Sequence, residues 1–339
     1  MALRPISYTR ANTPAEAVQM GAVSTPGEAA ARVQFLGGGT QLLDLAKLDV
    51  IRPERLVDIT RITDPVMTGI RRDANGLRLG ALVTMREAAE HPDVMRDYPV
   101  MSESLWMGAS QQIRNMGRLG GNVLQRTRCS YYRDTQWRCN KREPGSGCDA
   151  LEGHNRWHAV LGTSETCIAS YPGDWAVSLV ALGATVDVLG QDGPRTMPFS
   201  DLHRDPGETP HLETNLRPGE LITSFFVPAG PWTRRSLYVK VRDRASYEFG
   251  LATVACALDL DGEIVRAARL GLGGPVTRPW RLTGVEAALV GLPLNEANAA
   301  AAAELAFVGA LPREHNAFRI PLAKATIVRA LMAAKEIRP

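Results

Sequence analysis

Short blocks of alternating apolar and polar residues predict a mixed region of strands and helices at the start of the chain. Strands are predicted at residues 32–36, 55–59 and 77–81. Helices are predicted at residues 41–47 and 84–90, the second with Thr84 as its N-cap. The first strand therefore runs through a glycine turn into a helix.

The periodic pattern is lost over residues 125–166, which are rich in Arg, Gly, Asn and Ser. A stretch of this length without regular structure is uncommon inside a compact domain unless something else orders it. Regular spacing returns with a helix that Asp174 can cap and that runs to Leu182. Strands are predicted after it at residues 184–189 and 224–227.

A segment with two prolines and a glycine, residues 228–231, marks a boundary, and the pattern after it predicts three strands followed by helices. The strands are at residues 238–242, 250–260 and 264–272, with Asp261 and Gly262 in a hairpin turn. The helices are at residues 285–290, 294–308 and 321–337. This order predicts an α+β domain in which helices cover a sheet.

Composition places the chain among globular proteins, since 45% of its 339 residues are hydrophobic and 22% are charged. A chain of this length usually has more than one core. The formal net charge of +3 is too small to predict that the whole molecule binds nucleic acid. No apolar run is long enough to cross a membrane, and residues 1–22 lack the order of a signal peptide, so we expect a cytoplasmic protein without membrane insertion.

Two glycine-rich segments are candidates for binding a phosphate group. Residues 37–40 (GGGT) separate a predicted strand from a predicted helix, and residues 119–122 (LGGN) precede the irregular stretch. The first segment is not a dinucleotide fingerprint, because Leu42 stands where a further glycine is needed, and it is not a Walker loop. Its backbone N–H groups and the Thr40 hydroxyl could approach a pyrophosphate, although an ordinary turn would have the same composition.

Four of the five cysteines lie close together in the sequence: Cys129, Cys139, Cys148 and Cys167. A chain without an export signal normally keeps its thiols reduced, so this group favours a metal site over disulfides. The spacing matches neither a paired zinc motif nor a common ferredoxin run. An iron–sulfur cluster, a structural zinc ion, disulfides and scattered buried thiols therefore all stay open, while Cys256 is interpreted as a core residue.

Other residues near these cysteines have weaker interpretations. His154 and His158 share a helical spacing, but the residues between them lack the glutamate of a metalloprotease helix, so neither is assigned as a zinc ligand. Tyr131, Tyr132 and Trp137 lie among arginines, yet the basic run is too short to favour stacking on nucleic acid.

Four runs of residues together resemble the FAD-binding subunit of the molybdenum hydroxylases, the xanthine dehydrogenase and aldehyde oxidase family. They are residues 35–42 (FLGGGTQL), 112–122 (QIRNMGRLGGN), 172–175 (PGDW) and 238–242 (YVKVR), and the resemblance covers nearly the whole chain. The cysteine segment is most similar to the FAD subunits of bacterial, periplasmic-type, three-subunit aldehyde oxidases that carry an additional 4Fe–4S cluster.

The resemblance implies an α+β fold with a two-lobed FAD-binding domain of the vanillyl-alcohol oxidase (PCMH) type and a C-terminal domain of a three-stranded sheet with helices. The first lobe would be residues 1–60, the second residues 61–230 with an iron–sulfur insert at residues 125–167, and the C-terminal domain residues 231–339.

The resemblance also implies site residues. The cofactor-binding residues would be Phe35, Leu36, Gly37, Gly38, Gly39, Thr40, Gln41, Leu42, Gly108, Arg118, Leu119, Gly120, Gly121, Asn122, Asp174, Ile222 and Lys240. Residues 35–42 would wrap the pyrophosphate, and residues 119–122 would line the flavin and its ribityl chain. Two positions depart from the family's pattern, because Arg118 replaces a Thr or Ser and Gln41 replaces a frequent Asp. Cys129, Cys139, Cys148 and Cys167 would ligate the 4Fe–4S cluster.

The cysteine segment is strongly basic. Residues 126–142 contain six basic residues and one acidic residue, which gives a local charge of +5. Such a charge would stabilise the reduced, more negative state of a cluster and raise its potential. A solvated basic loop or a docking patch for a partner would have the same composition.

The function implied by the resemblance is electron transfer within a molybdenum-containing aldehyde oxidase. A large partner subunit with the molybdenum cofactor would oxidise the aldehyde to a carboxylate, and a small partner with 2Fe–2S clusters would pass electrons to FAD in this chain and on to an external acceptor. No catalytic residue for the substrate is expected here, and co-export with a partner would permit a periplasmic location. The alternatives are a stand-alone flavin oxidoreductase and a metal-stapled assembly module without a redox role.

Overall fold

The computed structural model describes residues 3–22 and 31–338, and its first elements form a small α/β lobe. They are β1 (Ser7–Arg10), α1 (Pro14–Gly21), β2 (Val33–Leu36), α2 (Leu42–Lys47) and β3 (Arg55–Asp58). Both β1 and β2 pair in parallel with β3, which is central in the sheet order β1-β3-β2. The strands predicted at residues 32–36 and 55–59 are confirmed, and the first glycine loop leaves the end of β2.

The next elements build an antiparallel sheet with helices packed on it. They are α3 (Pro65–Thr68), β4 (Ile70–Arg72), β5 (Gly76–Gly80), α4 (Met85–Glu90), α5 (Pro92–Asp97), α6 (Pro99–Met107), α7 (Gln111–Met116), α8 (Leu119–Val123), α9 (Ser130–Arg133), α10 (Trp175–Leu182), β6 (Thr185–Gly190), β7 (Gly193–Pro198) and β8 (Leu221–Pro228). The strand order is β4-β5-β8-β6-β7. Trp175 and Phe225 meet edge to face in the core between α10 and the sheet.

Two helix N-caps were predicted in this region, and they differ. At α4 the Thr84 side chain accepts from the Glu87 N–H, and the Glu87 carboxylate accepts from the Thr84 N–H, so the prediction is confirmed as a capping box. At α10 Asp174 occupies the N-cap position but makes no side-chain cap bond, so that prediction is wrong. Its carboxylate is bound instead by Tyr238 and Lys240.

We call residues 125–167 the cysteine insert. All of its residues are described, and α9 is the only helix or strand within it, which confirms the predicted irregularity. The Arg142 guanidinium orders much of the segment, because it donates to the carbonyls of Tyr131, Tyr132, Asp134 and Trp137.

The C-terminal elements form a second antiparallel sheet covered by helices. They are β9 (Ser236–Val241), β10 (Ala252–Asp261), β11 (Ile264–Gly273), β12 (Trp280–Arg281), α11 (Thr283–Leu289), α12 (Glu296–Ala303) and α13 (Arg319–Lys335). The order is β12-β11-β10-β9, so the three predicted strands gain a fourth that is too short to leave a pattern. The helix predicted at residues 294–308 is shorter, because Asn295 caps α12 and its last turn tightens into a 3₁₀ helix at Glu304–Phe307.

Helix α10 joins the two large sheets. A Cβ at Gly271 would lie 2.3 Å from the Val177 carbonyl oxygen, and one at Gly273 would lie 2.6 Å from the Val177 side chain. These glycines in β11 therefore let the C-terminal sheet approach α10 closely. Within the described residues, no helix combines the length and apolar character needed to cross a membrane.

Candidate functional site

The two glycine loops lie against each other. Gly39 has a φ of +70°, a left-handed conformation that favours glycine. A Cβ at Gly38 would lie 2.0 Å from the Met116 carbonyl oxygen, so no side chain fits there. The Arg118 side chain passes over Gly37, and its guanidinium donates to the Leu82 carbonyl at 2.9 Å. Loops that are distant in the sequence therefore form one continuous surface.

A cavity of about 790 Å³ opens along this surface, a volume typical of sites for cofactors. The predicted residues that line it are Phe35, Gly37, Gly38, Gly39, Thr40, Gln41, Leu42, Gly108, Arg118, Gly121, Asn122, Asp174 and Lys240.

Four other predicted residues, all within the described chain, are not part of the lining: Leu36, Leu119, Gly120 and Ile222. Leu119 and Ile222 are buried in the hydrophobic core. Gly120 packs on Ala81, whose side chain would lie 3.0 Å from an added Cβ. Leu36 lies beneath the first loop, with a methyl group 3.4 Å from the Cβ position of Gly39. These residues lie behind the cavity wall and support it.

Several side chains of the lining carry a buried polar atom without a hydrogen-bond partner among the described residues. Oδ1 of Asn122 and Nε1 of Trp175 are two of these atoms. Beside Asn122, a Cβ at Gly121 would meet no atom within 4 Å, so this stretch of wall is open. Since buried polar atoms are almost always paired, these two atoms are available to a molecule bound in the cavity.

A buried ion pair forms another part of the wall. Lys240 Nζ lies 2.8 Å from Asp174 Oδ2 and 3.1 Å from the Met107 carbonyl oxygen, while the Tyr238 hydroxyl donates to Asp174 Oδ1 at 2.9 Å. Burial raises the pKa of the Asp174 carboxyl, and Lys240 opposes this rise. A Cβ at Gly108 would lie 3.5 Å from the same carboxylate, so the glycine leaves it accessible to the cavity.

Part of the cavity lining was not predicted from the sequence. Residues 212–220 form one wall, and Tyr247 and Phe249 contribute from the loop between β9 and β10. Tyr247 has a φ of +53°, an uncommon conformation for a residue with a side chain. These segments show neither periodicity nor a motif, and only the fold brings them to the cavity.

Gln41 connects the first glycine loop to the cysteine insert. Its Oε1 accepts from the Arg126 backbone N–H at 2.7 Å, and its Nε2 donates to the Arg126 carbonyl at 3.0 Å. A carboxylate could only accept, so an amide is needed to make both bonds. This pairing gives a physical reason for Gln41 at a position where the family that the chain resembles often has Asp.

Most of the insert's positive charge is paired by carboxylates that lie outside the basic run. Arg126 and Lys141 flank Glu213 at 2.7 and 2.8 Å. Asp44 pairs with Arg128 and Arg133, and Asp149 pairs with Arg138. These three carboxylates therefore reduce the local charge of +5 counted along the sequence to about +2 in the fold.

The four clustered cysteines are free thiols in the fold. Cys139 and Cys148 face each other in an antiparallel bridge. Burial raises the pKa of Cys129, and the charges of Cys139, Cys167 and Cys148 raise it further. Burial likewise raises the pKa of Cys167 to about 11, with contributions from Cys148 and Cys139.

His158 also reaches this group. Its Nε2 lies 3.1 Å from the Cys129 sulfur, and burial lowers the pKa of the imidazole to about 4. Among residues 3–22 and 31–338, no three His, Cys, Asp or Glu side chains are grouped so that they could hold a metal ion. Cys256 is a separate, fully buried residue of the C-terminal core.

Comparison with known families identifies both halves of the chain. Residues 4–230 match the FAD binding domain in molybdopterin dehydrogenase, and residues 237–334 match the CO dehydrogenase flavoprotein C-terminal domain. The chain belongs to the FAD-binding subunits of the molybdopterin dehydrogenases. FAD is thus its cofactor, and the expected family and oxidoreductase class are confirmed.

Curated relatives of this FAD-binding subunit match most of its length. It is 43% identical to the aldehyde oxidoreductase FAD-binding subunit PaoB of Escherichia coli K12, over 98% of this chain and 99% of that protein. It is 26% identical to the glyceraldehyde dehydrogenase medium chain of Sulfolobus acidocaldarius, over 77% of this chain and 74% of that protein.

Solved structures share the fold of this FAD-binding subunit. A chain of the Cu,Mo-CO dehydrogenase and a chain of quinoline 2-oxidoreductase from Pseudomonas putida 86 each give a TM-score of 0.75 at 24% identity, with 99% of both chains covered. The expected fold class is confirmed.

Proposed function

We propose that this chain is the electron-transfer subunit of a molybdenum-containing aldehyde oxidoreductase. It would receive electrons from 2Fe–2S clusters of a small partner subunit and pass them through FAD to an external acceptor. A large partner subunit would carry the molybdenum cofactor and oxidise the aldehyde. The observation that carries the proposal is the cavity between the two glycine loops in a chain 43% identical, end to end, to an aldehyde oxidoreductase FAD-binding subunit.

The cavity wall fits FAD through its own chemistry. Backbone N–H groups of residues 37–41 can approach a pyrophosphate because no side chain stands on Gly37, Gly38 or Gly39. The free Oδ1 of Asn122 would accept a hydrogen bond from the cofactor, and Trp175 Nε1 would donate one. Leu36, Leu119, Gly120 and Ile222 would act from behind this wall by holding the loops in place.

Bound FAD supplies a carrier that exchanges electrons singly or in pairs. The protein's part is to hold and orient it. The Asp174–Lys240 pair would present opposite charges at fixed positions without adding net charge to the cavity. Because both side chains are almost fully buried, this arrangement costs no reorganisation when the cofactor binds.

We further propose that Cys129, Cys139, Cys148 and Cys167 ligate a 4Fe–4S cluster. The donor set fits, since four free thiols on one irregular segment are the ligands that such a cluster requires. The cluster would supply a one-electron centre and would order the insert.

A substitution that fills the cavity tests the FAD site. Gly121→Asp adds a carboxylate where an added Cβ has no neighbour within 4 Å, so the protein should fold and assemble with its partners but lose its flavin absorbance. Gly284→Asp is the matched control, because Gly284 also lies in a short helix and is equally open. Normal flavin content in Gly121→Asp, or native complex that never contains flavin, would contradict the proposal.

The cluster is tested by Cys139→Ser, with Cys256→Ala as the control. The first variant should lose iron and acid-labile sulfide from the purified complex, and the second should retain both. The rate at which aldehyde reduces the flavin then separates an electron-carrying cluster from a structural one. Slower reduction at normal FAD occupancy would argue against a purely structural role.

A further inference from the structure

His158 places a ring nitrogen on one of the proposed cluster ligands. Nε2 lies 3.1 Å from the Cys129 sulfur, and the ring is buried. Nδ1 has no partner among the described residues, so the contact with sulfur is the hydrogen bond of this ring. A ligating thiolate can only accept, and the bond therefore requires the tautomer that carries its proton on Nε2.

The backbone of His158 is held from two directions. Its N–H donates to the Asn155 carbonyl at 2.9 Å. Its carbonyl accepts from Arg319 at 2.8 Å, and Arg319 belongs to α13 of the C-terminal domain. The Tyr131 ring lies beside the imidazole, with the ring centres 6.0 Å apart. The position of Nε2 relative to the sulfur is thus set by the fold.

The charged side chains around the cysteines affect the ligand sulfurs less directly than the His158 N–H group does. Glu213 is shared by Arg126 and Lys141, and Asp44 by Arg128 and Arg133. These carboxylates offset the basic side chains that the sequence places around the cysteines. The His158 N–H group touches the Cys129 sulfur directly, and no carboxylate offsets it in this way.

We propose that His158 tunes the iron–sulfur cluster through Cys129, an inference that rests on the proposed cluster. An electron that reached the cluster from the 2Fe–2S clusters of the small partner would place more negative charge on the ligand sulfurs, while the proton would stay on Nε2 of His158 and no bond would break. The hydrogen bond is stronger to the more negative sulfur, so it stabilises the reduced state and raises the midpoint potential.

The test measures the midpoint potential of the cluster in the purified complex by redox titration followed by electron paramagnetic resonance. His158→Phe keeps the ring shape and removes the donor, so the equilibrium constant for reduction should fall about tenfold, which is about 59 mV for one electron. His158→Gln retains a donor at a similar reach and should restore most of the potential. His154→Phe is the control, because the exposed His154 ring contacts Trp157 and His315.

Each outcome has a distinct meaning. A cluster present in all variants with an unchanged potential in His158→Phe would overturn the inference while leaving the proposed function intact. Wild-type complex without iron and sulfide would overturn the proposed cluster itself. A lowered potential in His158→Phe that is restored in His158→Gln, with His154→Phe unchanged, would support the inference.

A second measurement applies if the His158 variants fail to assemble the cluster. Wild-type complex labelled with ¹⁵N-histidine should show a weak nitrogen hyperfine coupling in the reduced cluster, as expected for a hydrogen bond to a ligand sulfur. Either no coupling or the strong coupling of a nitrogen bound directly to iron would overturn the inference.

Discussion

At the scale of single residues, glycines in the cavity wall have different physical roles. Gly38 has the backbone of Met116, at the end of α7, in its side-chain position, whereas Gly121 faces open space. The first glycine permits two loops to pack, and the second leaves room for a cofactor. The consequences of substitution should differ accordingly.

Gly38→Ala should weaken both the fold and FAD binding. The new methyl group would meet the Met116 carbonyl oxygen at 2.0 Å, so the two loops must separate. We expect destabilisation of about 1–3 kcal/mol together with loss of flavin. Thermal unfolding and flavin absorbance of the purified protein measure the two effects. Gly284→Ala, which meets nothing, should be neutral or slightly stabilising, and equal behaviour of the two variants would contradict the prediction.

Removal of Glu213, which lies outside the cysteine insert but pairs with Arg126 and Lys141 within it, should be costly. Glu213→Gln removes the negative charge that Arg126 and Lys141 share, and uncompensated buried charge typically costs about 3–5 kcal/mol. Urea unfolding measures the loss. The control is Glu165→Gln, whose ion pair with Arg313 is largely exposed and should contribute less than about 1 kcal/mol. Equal losses would show that the Glu213 pairs are no stronger than a surface bridge.

At the scale of elements, the cavity depends on helices too short to be stable alone. Helix α2 has six residues and α8 has five, well below the length at which isolated helices persist in water. Their stability comes from packing on other parts of the fold. Leu45 of α2 packs on Tyr132 and Cys139 of the cysteine insert, and α8 packs in the core of the five-stranded sheet. In the sheet β1-β3-β2 the central strand ends at Asp58.

Asp58 should make the first lobe sensitive to acid. Burial works to raise the pKa of this carboxyl, but hydrogen bonds from Tyr8, Thr60 and Arg10 outweigh it and lower the pKa to about 2. The fold therefore favours the ionised form, and this stability is present above about pH 4 and is lost as the pH falls toward 2. Asp58→Asn should be less stable at neutral pH and converge with the wild type in acid, as measured by urea unfolding. The control is Asp192→Asn, which lies in an exposed turn. Parallel pH profiles of unfolding free energy for Asp58→Asn and the wild type would contradict the prediction.

Arg142 should determine the order of the cysteine insert. Its guanidinium donates to four carbonyls between Cys129 and Cys139, and the single ammonium of a lysine cannot span them. In Arg142→Lys we expect amide hydrogen exchange across residues 130–138 to accelerate about tenfold or more, since each lost hydrogen bond contributes about 1 kcal/mol. The control is Arg266→Lys, because Arg266 forms an exposed ion pair with Asp261. It should leave amide exchange across residues 130–138 unchanged. Unchanged exchange in Arg142→Lys would contradict the prediction.

At the scale of the whole molecule, Arg319 links the C-terminal domain to the cysteine insert. It is 1% exposed and donates to the carbonyls of Leu251 and His158. Burial lowers the pKa of its guanidinium to about 10. This one side chain therefore satisfies backbone groups of two regions that are far apart in the sequence.

Arg319→Met should destabilise the chain by about 2–4 kcal/mol, because buried carbonyls in both regions lose their donor. Differential scanning calorimetry should show a lower melting temperature. The control is Arg329→Met, since Arg329 is exposed on the same helix. Equal melting temperatures for the two variants would show that Arg319 does not couple the regions.

Local structure was largely predictable along the chain. The strand, glycine loop and helix at residues 33–47, the capping box at Thr84 and the three long C-terminal strands follow from short-range periodicity and turn chemistry. Asp174 is an exception. Its side chain could cap α10, but it binds Tyr238 and Lys240 of β9 instead.

The sequence by itself therefore determined many of the elements, the irregular insert, both glycine loops and the group of cysteines, because each depends on neighbours within a few residues. It gave no prediction for β1, α1, β4, β7 or the helices α5 to α9. Only the tertiary structure decided that Gly38 rests on Met116, that Gln41 holds Arg126, that Glu213 pairs with two cations and that His158 reaches Cys129. These contacts join residues far apart along the chain. Packing and charge pairing select them in space, and they leave no periodic or compositional trace in a single sequence.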